Sequence, residues 1–151
     1  MMAKKTKKRS RSKASVDPNL PLPKADPDAE VTPTQLRTLQ AKLVEERDLR
    51  IAALKRHVAD ATEDTGSGGD EADVANAHAT QAYLLRVADK EQKLLRQIQH
   101  ALQKLETGEY GVCEGSGEPI SYKRLLLRPW TRYSVRHKEE LERNKAQRRH
   151  R

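Results

Sequence analysis

The sequence predicts a mainly α protein: an antiparallel coiled-coil hairpin, a small turn-rich globular module and a C-terminal helix. Three observations carry this. First, the run from Asp70 to Thr107 contains no Gly or Pro. Its apolar residues (Ala77, Leu84, Val87, Ala88, Leu94, Leu95, Ile98, Ala101, Leu102 and Leu105) recur in steps that place them on one helical face. Second, another amphipathic segment lies upstream. Third, Thr62 to Gly69 between them holds three glycines and no apolar side chain, which makes a loop. A helix as long as the second segment spans roughly 55 Å. No small core can wrap such a rod, so its stripe requires a partner helix, and the upstream segment supplies it.

Composition agrees with a thin, elongated fold. Hydrophobic residues are 35% of the chain, charged residues 34%, and Phe is absent, which argues against a sheet-based globule. No apolar run approaches the ~20 residues a membrane span needs. The charged N-terminus has no apolar core segment of a secretory signal. The single cysteine, Cys113, excludes an intrachain disulfide, and the expected location is the cytoplasm. The formal charge of +8 points to an acidic partner, nucleic acid or a nucleotide.

In chain order, residues 1–31 read as a disordered tail, basic to Lys13 and then rich in proline (Pro18, Pro21, Pro23, Pro27). Such a tail either solubilises or makes salt-sensitive contact with nucleic acid. The hairpin is assigned to residues 32–107. Thr32-Pro33-Thr34-Gln35 is a helix start with a capping-box partner at Gln35. Leu36, Leu39, Leu43, Val44, Ile51, Leu54 and Val58 form the stripe that follows, to about Ala61. The exposed tip covers about residues 62–75. Gly108 is a natural C-cap for the second helix. Residues 108–137 form the compact module, with Gly111, Gly115, Ser116, Gly117 and Pro119 as turn formers. Residues 138–151 form a basic C-terminal helix whose acids come early and bases late, as the helix dipole favours.

Asp70 and Asp73 at the tip admit two readings. Asp70 is placed to be an N-cap, and Asp73 stands at N3, where an acid favours the dipole. Carboxylates on an exposed rigid rod can instead reach into a partner. Catalysis has no support, because a tip has no pocket around it, and nothing else in the sequence supports reading Cys113 and His137 as a nucleophile with its base. The expectation is a protein that is not an enzyme.

The ordered combination of motifs resembles the DksA/TraR family of bacterial RNA polymerase regulators. It comprises Asp70-x-x-Asp73-x-Ala75 at the tip, Leu105-Glu106-Thr107-Gly108-Glu109-Tyr110-Gly111-Val112-Cys113, Gly117-Glu118-Pro119-Ile120, Arg124-Leu125 and Arg128-Pro129. The resemblance covers about residues 35–145 and is closer to the long members, because the first hairpin helix is present. It implies a monomer whose coiled-coil hairpin stands on a zinc-finger-like module and enters the secondary channel of RNA polymerase without reading promoter sequence. It assigns Asp70, Asp73 and Ala75 to the active-site-proximal tip and Lys90 to polymerase contact. Leu94, Gln97, Arg128 and Lys138 fall at the pocket for the alarmone ppGpp. There the family's type species has a lysine where this chain has Gln97, and a neutral amide cannot replace a charge facing a diphosphate. The four-cysteine zinc positions fall on Cys113, Ser116, Ser134 and His137. Only Cys113 and His137 are competent ligands, so zinc is not expected and the module must hold together by packing. The alternative reading is a nucleic-acid-binding or structural coiled-coil protein acting through its basic tails.

Overall fold

A computed structural model describes residues 20–63 and 69–149. Four helices follow in order: α1 (Pro33–Thr62), α2 (Glu71–Thr107), α3 (Tyr122–Leu127) and α4 (Val135–Arg149). Among the described residues there is no strand, only isolated bridges between Ala25 and Tyr110 and between Val112 and Pro119. α1 and α2 lie side by side as the hairpin.

Local chemistry sets the helix ends. The Gln35 N–H donates to Thr32 Oγ1 (3.3 Å), and the Thr32 N–H donates to Gln35 Oε1 (3.0 Å), closing a capping box with Pro33 in the first turn. Gly108 ends α2 in the left-handed region (φ 83°), where its N–H reaches the Lys104 carbonyl at 3.0 Å. Near the tip the Gln81 amide donates to the Ala61 carbonyl at 2.8 Å, giving an orphan acceptor at the end of α1 a partner on α2.

The hairpin is driest at its base. Leu36, Leu39 and Leu43 of α1 are buried in one cluster with Ile98, Ala101 and Leu105 of α2. Tyr110, Cys113, Ile120 and Leu125 of the module complete that cluster. Further out, Ile51, Leu54, Leu84 and Val87 are only half-buried, and Val58 is 41% exposed. There the helices are also joined by charge: Arg50 Nη1 lies 3.3 Å from Glu91 on α2, and Nη2 lies 3.1 Å from Glu46 on its own helix.

Residues 20–31 correct one expectation. This part of the expected disordered tail is a strap bound across the base of the hairpin. The Lys24 N–H donates to the Leu105 carbonyl (2.8 Å), the Asp26 N–H donates to the Tyr110 carbonyl (2.9 Å), and the Gln40 amide donates to the Pro21 carbonyl (2.9 Å). A composition poor in bulky apolar residues signals disorder because it cannot bury enough surface. Here backbone hydrogen bonds to carbonyls at and just beyond the end of α2 hold the segment instead. Its prolines also reduce the entropy lost on ordering. Residues 1–19, the rest of the expected tail, lie outside the described residues, as do tip residues 64–68.

Gly111 sets the fit of the strap. It has φ 98°, and a Cβ there would stand 2.8 Å from Ala29 Cβ. Gly117 also has positive φ (71°) but faces open space. Gly111→Ala is therefore expected to lose roughly 2–4 kcal/mol, combining backbone strain with the clash, and Gly117→Ala only the strain, about 1–2 kcal/mol. Urea unfolding of both variants measures the difference, and limited proteolysis shows faster cleavage of the strap in Gly111→Ala. Equal losses would remove the strap clash from the account.

Candidate functional site

The tip is built on the first turn of α2. Asp70 is its N-cap and accepts the Asp73 N–H at 3.0 Å. One carboxylate is thereby engaged in holding the helix start. Among the described residues the Asp73 carboxylate has no ion pair or hydrogen bond, and Asp73, Val74 and Ala75 are all exposed. A Cβ on Gly69 would lie 2.6 Å from Asp73 Cβ, so the absence of a side chain there leaves room for Asp73. The tip thus pairs a capping aspartate with one that has no partner among the described residues, separated by one helical turn.

The second group of residues lies lower on the rod and in the module. Lys90 and Gln97 are exposed on α2, and Leu94 is half-buried against the core cluster. Their spacing of four and three puts them on one helical face. Arg128 is the exposed C-cap of α3, and Lys138 lies in α4, 3.6 Å from Glu142. Among the described residues no hydrogen bond or ion pair joins Arg128 or Lys138 to the α2 group. They share a region of sequence resemblance, not a closed pocket.

The four zinc-ligand positions do come together in one knuckle. The Cys113 N–H donates to the Glu118 carbonyl (2.8 Å), and the Gly117 N–H returns to the Cys113 carbonyl (2.9 Å). Ser134 takes up the start of α4, accepting the His137 N–H at 3.3 Å. The His137 imidazole sits over Gly115, where any Cβ would collide with it. Cys113 is 2% exposed. Burial pushes its thiol up, but hydrogen bonds from the Ser116 hydroxyl and from the backbone at Ser134, Ser116 and Gly115 outweigh that and bring it down to about 6. The Ser116 hydroxyl also lies 3.4 Å from a Glu118 carboxylate oxygen, and the Ser134 hydroxyl is engaged with the start of α4.

This donor set does not fit the zinc that the resemblance implies. Structural zinc takes four N or S ligands, and two of these positions are neutral hydroxyls. Among the described residues no group of three or more His, Cys, Asp or Glu side chains is placed to hold a metal.

What joins the module to the hairpin was not visible in the sequence. Glu114 accepts from His100 Nε2 (2.7 Å) and lies 3.4 Å from Lys104 Nζ, both on α2. Its other oxygen lies 2.6 Å from Arg132 Nη2, and its N–H donates to the Arg132 carbonyl (3.0 Å). One carboxylate thus clamps helix, knuckle and following segment. Burial pushes Glu114 up, yet the bonds from Arg132 and His100 and the nearby Lys104 charge dominate and bring it to about 2. Alongside it, the buried Tyr110 hydroxyl donates to the Pro129 carbonyl at 2.7 Å, and Arg124 Nε donates to the Tyr133 carbonyl at 3.1 Å. Burial raises the Tyr110 phenol well above its ordinary range, so it stays a donor. No local pattern marks Glu114, because its partners are distant in sequence and meet only when the knuckle folds onto α2.

Two outcomes follow for the module. Excess chelator should leave the thermal unfolding of the purified protein unchanged, and elemental analysis should find zinc far below one per chain. Stoichiometric zinc, or a chelator-induced fall in the midpoint, would restore a metal to the knuckle. Because the folded pKa of Glu114 is depressed, its stabilisation is complete above about 4.5 and is lost as pH falls toward about 2. Glu114→Gln should therefore be less stable than wild type at neutral pH, with the gap closing over that acid range. A gap that does not change with pH would show that the clamp is not electrostatic.

Comparison with known proteins places these features. Residues 108–143 match the family model described as the prokaryotic dksA/traR C4-type zinc finger. The chain is 35% identical over 109 residues to the RNA polymerase-binding transcription factor DksA of Caulobacter vibrioides (strain NA1000 / CB15N), covering 72% of this chain and 77% of that protein. It is 36% identical over 74 residues to the protein of the same name from Haemophilus influenzae, covering 49% of this chain and 51% of that one. Among solved structures it is similar to transcription factor DksA2 from Pseudomonas aeruginosa, with a TM-score of 0.67 and 33% identity, covering 75% of this chain and 87% of that chain. With a two-helix hairpin standing on a knuckle that keeps the finger's spacing but only one of its four cysteines, the chain belongs to the DksA/TraR family.

Proposed function

We propose that this protein is a regulator of transcription initiation that binds RNA polymerase through the secondary channel, with Asp73 at the working end of the hairpin. Relatives named for RNA polymerase binding, matched over 77% of the length of one of them, support the partner. The single observation that carries the mechanism is the exposed Asp73 carboxylate at the end of a 37-residue helix. Asp70 fixes the helix start, so Asp73 is held on a defined turn. Ala75, small and exposed, lets the tip approach a surface closely.

In this reading the rod is a spacer and the carboxylate is the effector. A charge delivered near the polymerase's catalytic Mg²⁺ changes the local field without any chemistry on this chain. Lys90 contacts the polymerase from the flank of α2. Leu94, Gln97, Arg128 and Lys138 form this chain's side of the ppGpp site. With Gln97 contributing no charge, ppGpp acts more weakly than on relatives with a lysine there.

Transcription in vitro by the cognate polymerase from a ribosomal RNA promoter tests the reading. Wild type should change transcript yield. Asp73→Asn should abolish that change while still competing for polymerase, since it keeps the fold and removes only the charge. Removal of residues 1–19 should leave the effect intact, whereas removal of the strap as well should not. A wild-type protein that neither binds polymerase nor alters yield would overturn the proposal.

A further inference from the structure

Tyr83 is the aromatic residue that the fold does not use. The others, Tyr110, Tyr122, Trp130 and Tyr133, all belong to the module and lie in or against the core cluster. Tyr83 stands alone on the rod and is 62% exposed. Among the described residues its hydroxyl has no hydrogen bond and its ring no aromatic or cationic neighbour. The stretch around it is also unusual in charge. Residues 74–85 contain no Asp, Glu, Lys or Arg in a chain that is 34% charged, yet all of them except Ala77 and Leu84 are exposed. The Gln81–Ala61 and Arg50–Glu91 contacts set the part of α1 that runs beside this stretch, and there Lys55, Arg56 and Asp60 are exposed. The missing charge is therefore a property of α2 and not of the whole outer rod.

We propose that the flank of α2 formed by Asn76, Ala79, Thr80 and Tyr83 packs against an apolar patch on the wall of the polymerase channel, with Tyr83 as its anchor. This rests on the function proposed above and adds to it a surface that holds the rod in place. Depletion of charge together with an exposed tyrosine is the composition of the dry centre of an interface. The surface is continuous with groups already assigned to polymerase. Tyr83 and Lys90 are two helical turns apart and share one flank. At ~1.5 Å per residue, Tyr83 lies roughly 10 Å tipward of Lys90 and roughly 15 Å behind Asp73. A second copy of this chain fits less well. The flank from Asn76 to Tyr83 is roughly 10 Å long and one helix wide, far less than the ~800 Å² per partner of a stable pair. It suffices as one part of a contact that also engages Lys90 and the tip.

The test is competition binding of the full-length protein to the cognate RNA polymerase, between about 50 and 200 mM salt. Tyr83→Ala should bind roughly tenfold more weakly than wild type. Its helicity and thermal midpoint should match wild type, since the ring is exposed in the free chain. The loss should hardly vary with salt, whereas that of Lys90→Gln should shrink as salt rises, because only a charge is screened. Tyr83→Phe keeps the ring and should stay close to wild type. At saturating concentration Tyr83→Ala should still change transcript yield in full, unlike Asp73→Asn. Leu85→Ala removes an apolar side chain that is 50% exposed but lies about 200° around the helix from Tyr83, and it should bind as wild type does. Wild-type affinity in Tyr83→Ala would overturn the inference and leave the polymerase reading standing. An equal loss in Leu85→Ala, or in Tyr83→Phe, would do the same. Self-association of the wild type that Tyr83→Ala abolishes would assign the surface to a dimer and overturn it as well. A wild type that does not bind polymerase overturns the reading and the inference together.

Discussion

The structure depends on the apolar joint at the base of the hairpin. Leu39 and Leu43 from α1 and Ile98 and Leu105 from α2 are almost wholly excluded from water there, together with Tyr110, Ile120 and Leu125 of the module. The strap, the knuckle and α3 attach to this joint. The strap crosses it through the Leu105 carbonyl, the knuckle continues directly from it through Tyr110, and α3 contributes Leu125 to it. Burial of these few side chains stabilises the module by roughly 1.5–3 kcal/mol each as an upper estimate. The outer rod adds less, because its larger apolar side chains are half-buried or exposed and only the small Ala61 and Ala88 are buried there.

That uneven packing suits a stalk. The outer half needs to be stiff and correctly registered rather than tightly packed. Arg50 between Glu46 and Glu91 helps with register, because a charged pair across a helix interface tolerates few alignments. Partly exposed pairs of this kind add little net stability. The consequence for function is positional. Once α1 and α2 are aligned at the base, the first turn of α2, and Asp73 on it, is placed by helix geometry alone.

The module shows how a metal-type knuckle persists when its donors change. The spacing across positions 113, 116, 134 and 137 is kept, so the two halves of the knuckle still face each other. Zinc would have joined them through four bonds. Here the join is distributed over the bonds to Glu114, the Tyr110–Pro129 and Arg124–Tyr133 hydrogen bonds, and packing around Ile120 and Leu125. Such a join is sensitive to pH and salt, where a metal site would be sensitive to chelators.

Much of this was legible in the sequence, for a definite reason. Helix periodicity, the Thr32–Gln35 capping box, the Asp70 cap, the Gly108 stop and the loss of zinc donors are local or near-local properties. They depend on spacings that are fixed before the chain folds. The strap and the Glu114 clamp could not be read in this way. Residues 20–31 carry the composition of a disordered tail, and their order comes from carbonyls at the far end of α2. Glu114 looks like any loop acid until His100, Lys104 and Arg132 arrive around it. The sequence by itself determined the rod, its tip and the donor set of the knuckle. Only the tertiary structure decided what ties the base together, because hydrogen bonds and charge pairs between distant segments leave no periodic trace in the chain.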